Sequence, residues 1–194
     1  VHCPRVQQIA GLNVALCGDL LHARTVHSLA YGLARFGASL KCISPPELRL
    51  PRYVKRRLEL ELNCVPAEYD SFGDLAAPDA LHVVYAAERR RPRAARKLVA
   101  DEEVVDAISR VLDAIYVTRI QTERFRDREQ AEAARGSYFI GPDVLRRMGK
   151  HTTIMHPLPR VDEVDYAVDA DTRAAYFRQA AYGVPIRMAL IALL

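Results

Sequence analysis

The chain has 194 residues, 28 Lys and Arg against 24 Asp and Glu, and a formal charge of +4; half of it is hydrophobic and 27% is charged. That balance fits one globular domain with a sizeable core and is short for two. Residues 188–194 form the longest candidate apolar run, far below the ~20 residues that span a bilayer; no secretory leader is seen, and a first residue of Val1 suits part of a longer chain.

Residues 12–20 (LNVALCGDL) form an apolar run ending in Gly-Asp, the pattern of a strand buried on both faces. Residues 25–36 follow with Val26, Leu29, Ala30, Leu33 and Phe36 at helical spacing, and Gly37 is a stop signal. Residues 40–44 read as a strand, Pro45 and Pro46 as a turn, and 53–62 as a helix. The order of elements over 63–103 is unclear. Inside it, 79–89 loosely echoes 113–124, an echo that chance or a duplicated strand would produce, and RRRPR at 89–93 continues to Arg96 and Lys97. No aromatic residues alternate with this basic run as a stacking platform requires, so it reads first as a solvated or partner-facing loop, with nucleic acid the minority reading.

Residues 104–112 then read as a helix, 113–120 as a strand, 137–140 as a short extended piece, 142–148 as a helix and 152–156 as a last strand. Residues 173–194 are mostly helical, with interruptions expected at Gly183 and Pro185. Strands alternating with helices imply an α/β fold: a Rossmann-like parallel sheet with helices on both faces. A dinucleotide does not follow, because only Gly18 stands at the first strand-to-helix turn and the G-x-G-x-x-G spacing is missing. Cys3, Cys17, Cys42 and Cys64 lack paired metal spacing, so no metal site is expected. Cys17 and Cys42 lie in strand-like runs as small hydrophobes, which suits a reducing compartment, cytoplasmic or organellar.

Three stretches carry polar groups at the ends of apolar runs, where an open α/β sheet places its ligand. In RTVHSL at 24–29, Arg24 and Thr25 open a helix, whose amides and dipole favour an anion; the plain alternative is an exposed arginine with Thr25 as N-cap. In TRIQ at 118–121, strand alternation points Arg119 and Gln121 to one side, the plain alternative being an edge-strand ion pair with Glu123. In HPLPRVDE at 156–163, two prolines fix an extended loop that exposes carbonyls, or simply a rigid turn over a packed His156. Two guanidinium groups on separate segments suit a ligand with two carboxylates, since each forks onto one through paired hydrogen bonds.

Together these stretches resemble the aspartate-binding half of aspartate carbamoyltransferase over residues 12–194. The resemblance implies that residues 1–194 form the C-terminal, aspartate-binding domain of a transcarbamylase, with an insertion around 63–103. Relatives bridge that region with about 30 fewer residues, a large excess over ordinary loop lengths. It implies that Arg24 and Arg119 bind the aspartate carboxylates, that Gln121 positions the substrate, and that the carbonyls of Leu158 and Pro159 hold the amide of carbamoyl phosphate. Thr25 is assigned to the carbamoyl phosphate side. Residues 125–136 correspond to a loop that closes over substrate in the family. YFRQA at 176–180 and IRMAL at 186–190 also match, in a helix that packs on the family's other domain; ordinary core packing would want the same apolar residues, and Pro185 is expected in the first turn of a last helix.

Ornithine-using relatives carry a Cys in the proline loop and a Ser-Met-Gly element, neither of which is seen here, so aspartate is the expected substrate. The family's phosphate-binding Ser-Thr-Arg-Thr-Arg and His-Pro-Thr-Gln stretches are also missing from these residues, which implies half a site. The chain alone is then expected to be inactive, needing a carbamoyl-phosphate-binding domain in the same or another chain, with no cofactor, in a homotrimer or larger assembly. Leu21-His22-Ala23 departs from the family's habit of a Lys or Tyr and then Gly, and Ala23 would strain the turn if it needs positive φ. That departure, with the insertion, leaves a second reading: a catalytically inactive transcarbamylase-like structural or interaction subunit.

Overall fold

The computed structural model describes residues 9–70, 112–125 and 138–194. The predicted helix at 104–112 except its last residue, the echo at 79–89, the basic run, Cys3 and nearly all of the closing-loop segment lie outside the described residues.

Five strands form one sheet in the order β3-β2-β1-β4-β5. They are β1 (Asn13–Cys17), β2 (Ser39–Ile43), β3 (Ala67–Tyr69), β4 (Ala114–Val117) and β5 (Thr153–Met155), and every pairing is parallel. Chain order therefore runs outward from β1 to β3 and resumes on the other side of β1 with β4. Parallel neighbours need covered faces, and alternation along the strands supplies an apolar set to each. Leu16, Leu40, Cys42 and Tyr116 pack with Val26, Ala30, Val54 and Leu58 from helices α1 (Arg24–Arg35) and α2 (Arg52–Leu62). On the opposite face Ala15, Cys17, Ile43, Ile115, Val117 and Ile154 pack with Leu145, Val168 and Tyr176. Leu145 lies on α3 (Pro142–Arg147), and Tyr176 opens α4 (Tyr176–Ala192). The expected parallel sheet with helices on both faces is what these residues build.

Local chemistry sets the ends of the helices. Gly37 adopts φ +81° after α1, while its N–H donates to Ala34 and that of Ala38 to Leu33, both at 3.0 Å. This pair of bonds satisfies the last helical carbonyls and requires the left-handed residue that glycine supplies. Asn63 ends α2 in the same region with φ 49°.

Four sequence expectations need correction. The strand predicted over 113–120 is shorter, Ala114–Val117, so Arg119 and Gln121 lie in the loop beyond it and strand alternation does not orient them. β4 also lies between β1 and β5, not at an edge. The unclear region begins with an ordered edge strand, β3, whose residues are all half-buried. Finally, α4 is continuous through Gly183 and Pro185, and Pro185 sits inside the helix, not in a first turn. Its side chains from Tyr182 onward are mostly exposed, including Ile186, Met188, Leu190 and Ile191, so beyond its first turns this apolar helix does not serve the core of the described residues. None of the described helices is long and apolar enough to cross a membrane.

Candidate functional site

The reversal of strand order falls between β1 and β4, and their carboxyl ends frame the crevice where open α/β sheets hold ligands. Arg24 and Thr25 follow β1, Arg119 and Gln121 follow β4, and the 156–160 loop follows the next strand, β5. All three predicted stretches therefore leave adjacent strands on one edge of the sheet.

The turn out of β1 is built around close backbone approach. Gly18 has φ +107°, and a Cβ there would lie 2.4 Å from the carbonyl oxygen of Thr118. The Thr118 hydroxyl donates to the Cys17 carbonyl at 3.2 Å and accepts from the Asp19 N–H at 3.1 Å. The Asp19 side chain is fully buried. It accepts from the backbone N–H of His22 at 2.9 Å and, more loosely, from that of Gln121 at 3.4 Å, and His22 Nδ1 lies 3.1 Å from its Oδ2. A buried carboxylate needs such partners to offset lost hydration, and these partners tie the loop bearing Arg24 to the loop bearing Gln121. Sequence reading assigned Asp19 no role; a charged residue closing a fully apolar run was the available signal.

Helix α1 has Ala23 at its N-cap position, with φ −75° and no side-chain cap bond. Two corrections follow. Thr25 is a helical residue and not the N-cap, and Ala23 carries no positive-φ strain. The first turn of α1 holds no acidic residue, so no side chain of that turn competes with an anionic ligand for the helix dipole. Arg24 is exposed, and its guanidinium has no partner among the described residues. Tyr116 on β4 is buried, and burial pushes its hydroxyl pKa up.

Arg119 is partly exposed and pairs with Glu123, its Nη2 lying 2.5 Å from Oε1 and its Nη1 3.3 Å from Oε2. The plain ion-pair alternative thus holds here, though in the loop after an interior strand. Arg119 hydrogen bonding is the main cause holding the Glu123 carboxyl below its ordinary range. Gln121 accepts through Oε1 from Arg124 Nε at 2.7 Å, which leaves its amide N–H groups for another acceptor.

In the third loop Leu158 has φ 52° and joins Pro159 through a cis peptide bond. No described group donates to the Leu158 or Pro159 carbonyl, so both retain acceptor capacity. His156 and Glu163 lie beneath the loop, 1% and 4% exposed. Arg160 is held by Asp169 and the Tyr176 hydroxyl, with its guanidinium 4.3 Å from the centre of the Tyr166 ring; those contacts commit it to structure.

A parallel sheet with anion-seeking groups at its carboxyl-edge crevice defines the ligand-binding class of open α/β domains. Residues 10–194 match the model of the "Aspartate/ornithine carbamoyltransferase, Asp/Orn binding domain", and the chain belongs to that family. It is 41% identical over 187 residues to an aspartate carbamoyltransferase catalytic subunit from Methanothermobacter thermautotrophicus, covering 96% of this chain and 48% of that protein. A Methanocella arvoryzae catalytic subunit is 38% identical over 185 residues, covering 95% and 49%. Among solved structures, the catalytic subunit of M. jannaschii aspartate transcarbamoylase superposes with a TM-score of 0.71 at 37% identity, covering 97% of this chain and 51% of that one. The Trypanosoma cruzi enzyme in complex with N-(phosphonacetyl)-L-aspartic acid gives 0.69 at 30% identity, covering 97% and 50%. The chain spans about half the length of the curated relatives it matches.

Proposed function

We propose that this chain is the aspartate-binding half of an aspartate carbamoyltransferase. In this reading Arg24 and Arg119 each take one carboxylate of L-aspartate and Gln121 orients it. The carbonyls of Leu158 and Pro159 accept from the carbamoyl amide, while Thr25 and the start of α1 face the phosphate side. The amine nitrogen attacks the carbamoyl carbon, a tetrahedral intermediate forms, and the C–O bond to phosphate breaks with its electron pair. Phosphate and N-carbamoyl-L-aspartate leave, and the amine proton passes to phosphate or solvent. Rate comes from holding the amine against the carbonyl carbon and from stabilising developing charge. This product is an early intermediate of pyrimidine synthesis.

One observation carries the reading: Asp19 ties together the two loops that present Arg24 and Gln121 at the β1/β4 switch point. The Arg119–Glu123 pair does not block it. Exposed pairs of this kind contribute about 0–1 kcal/mol, so a substrate carboxylate displaces Glu123 at little cost. The exposed apolar side of α4 and the half-length match support a carbamoyl-phosphate-binding domain, in the same or another chain, as the missing half. A catalytic trimer or larger assembly is part of the same proposal. The unstrained Ala23 removes one reason for an inactive subunit.

Calorimetry with the bisubstrate analogue N-(phosphonacetyl)-L-aspartate tests this. The chain alone should bind weakly and turn nothing over, while adding the phosphate-binding half should produce tight binding and carbamoyl transfer. Equal, negligible binding in both mixtures would overturn the assignment.

A further inference from the structure

The buried pair beneath the proline loop has no part in the scheme above, yet its hydrogen bonds hold the backbone N–H groups on either side of the carbonyls that scheme uses. The Leu158 N–H donates to His156 Nδ1 at 2.8 Å. A nitrogen that accepts is unprotonated, so the imidazole proton sits on Nε2. Nε2 lies 2.6 Å from Glu163 Oε1. The Glu163 carboxylate also accepts from the backbone N–H groups of Val161 and Asp162, at 3.3 and 3.1 Å. One imidazole thus holds the front of the loop, one carboxylate holds its back, and the contact between them closes the ring. Surrounding bonds fix both anchors. The His156 N–H donates to Gln179 Oε1 on α4 at 3.2 Å, and the Ile140 N–H donates to the Glu163 carbonyl at 2.9 Å.

We infer that His156 and Glu163 are positioning residues for carbamoyl transfer: His156, locked in its Nε2–H tautomer, sets the backbone of Leu158 so that the Leu158 and Pro159 carbonyls face the carbamoyl group. Leu158 needs this help, because a non-glycine residue with φ 52° occupies a costly region and persists only where its surroundings over-determine it. His156 cannot reach substrate itself, being buried with Nδ1 accepting from Leu158 and Nε2 set 2.6 Å from Glu163. The inference rests on the proposed function for its catalytic consequence, but the tautomer and the hydrogen bonds stand apart from it.

Two substitutions divide the work of the ring. His156→Asn keeps an acceptor at the Nδ1 position and gives up the contact with Glu163. His156→Gln keeps a donor for Glu163 and gives up the acceptor for Leu158. With the phosphate-binding half present, His156→Gln should lower kcat about ten- to a hundredfold, the scale of a misplaced reacting group. KM for aspartate should change little, since the arginine loops are untouched, and His156→Asn should restore most of kcat. A ring that merely fills space predicts equal losses, and equal losses would overturn the inference. Nitrogen-15 NMR of the unsubstituted chain needs neither folding of a variant nor activity. It should show His156 with Nδ1 unprotonated and Nε2 protonated, and the reverse tautomer would overturn the positioning role. Absence of carbamoyl transfer in the unsubstituted protein would instead count against the proposed function alone.

Discussion

Gly18 and Thr118 meet so closely that a single added methyl at Gly18 would sit 2.4 Å from the Thr118 carbonyl oxygen and 2.9 Å from its hydroxyl. The first obstacle is backbone that cannot yield, and φ +107° adds conformational cost for any side chain. Gly18→Ala should therefore destabilise the chain by roughly 2–4 kcal/mol, combining overpacking with backbone strain. Gly32, inside α1, has nothing within 4 Å of a built Cβ and no positive φ. Gly32→Ala should stabilise by about 0.5–1 kcal/mol through helix propensity and the unfolded state. Urea midpoints measured on both variants check the contrast, and similar shifts in the same direction would refute the description of the β1 exit.

Arg119 offers a separation of stability from binding. Its pair with Glu123 is surface-exposed on both sides, so Arg119→Ala should change unfolding free energy by no more than about 1 kcal/mol. Affinity for a dicarboxylate should fall by about tenfold or more, the scale of one lost charge-assisted hydrogen bond. Glu123→Ala should leave stability similarly unmoved and retain binding, because the guanidinium is then free for substrate. Titrations of the three proteins decide it; unchanged affinity in Arg119→Ala would remove Arg119 from the site.

The legibility of this molecule follows from where its information lies along the chain. β1 and β4 are buried on both faces and announce themselves as apolar runs, and Gly37 marks the end of α1 because the bonds that close the helix require its backbone freedom. β3 was invisible because three half-buried edge residues, Ala67–Tyr69, form no apolar pattern. α4 misled for the opposite reason: Pro185 removes one helical donor, but the long helical flanks on both sides propagate through it. The three candidate stretches are legible as local motifs, because each puts polar groups directly after an apolar run. Asp19 could not be given its role, since Gln121, the partner that matters, is 102 residues away. Glu163 was hidden similarly, because its meaning depends on a loop that folds back over His156.

Burial should silence two of the cysteines. Burial pushes the Cys42 thiol up to about 12 and raises Cys17 further in the same direction, whereas partly buried Cys64 is raised less decisively. Thiolate is the reactive form, so a thiol reagent at pH 8 should label Cys64 well before Cys17 and Cys42. The latter pair should react only on a timescale set by unfolding. Peptide mapping by mass spectrometry after timed labelling gives the order, and early labelling of Cys17 would contradict its place inside β1.

Acid should unfold the chain through a specific set of carboxylates. For Glu163, burial acts to raise the pKa, but the adjacent His156 imidazole and nearby backbone N–H groups prevail and hold it below the ordinary range. Asp169 and Asp171 are lowered mainly by hydrogen bonds from Arg160 and Arg173 respectively. A carboxyl with a lowered folded pKa binds protons more readily when unfolded, so its contribution is complete above the unfolded value of about 4. That contribution is lost as pH falls through the folded values. Thermal midpoints should then hold nearly level from pH 7 to about 5 and drop steeply below about pH 4. Glu163 is the buried member, while Asp169 and Asp171 are more exposed and more screened. Glu163→Gln should accordingly begin from a lower midpoint at pH 7 and lose less on acidification, and an undiminished acid slope in that variant would show that the lowered Glu163 pKa does not govern acid stability.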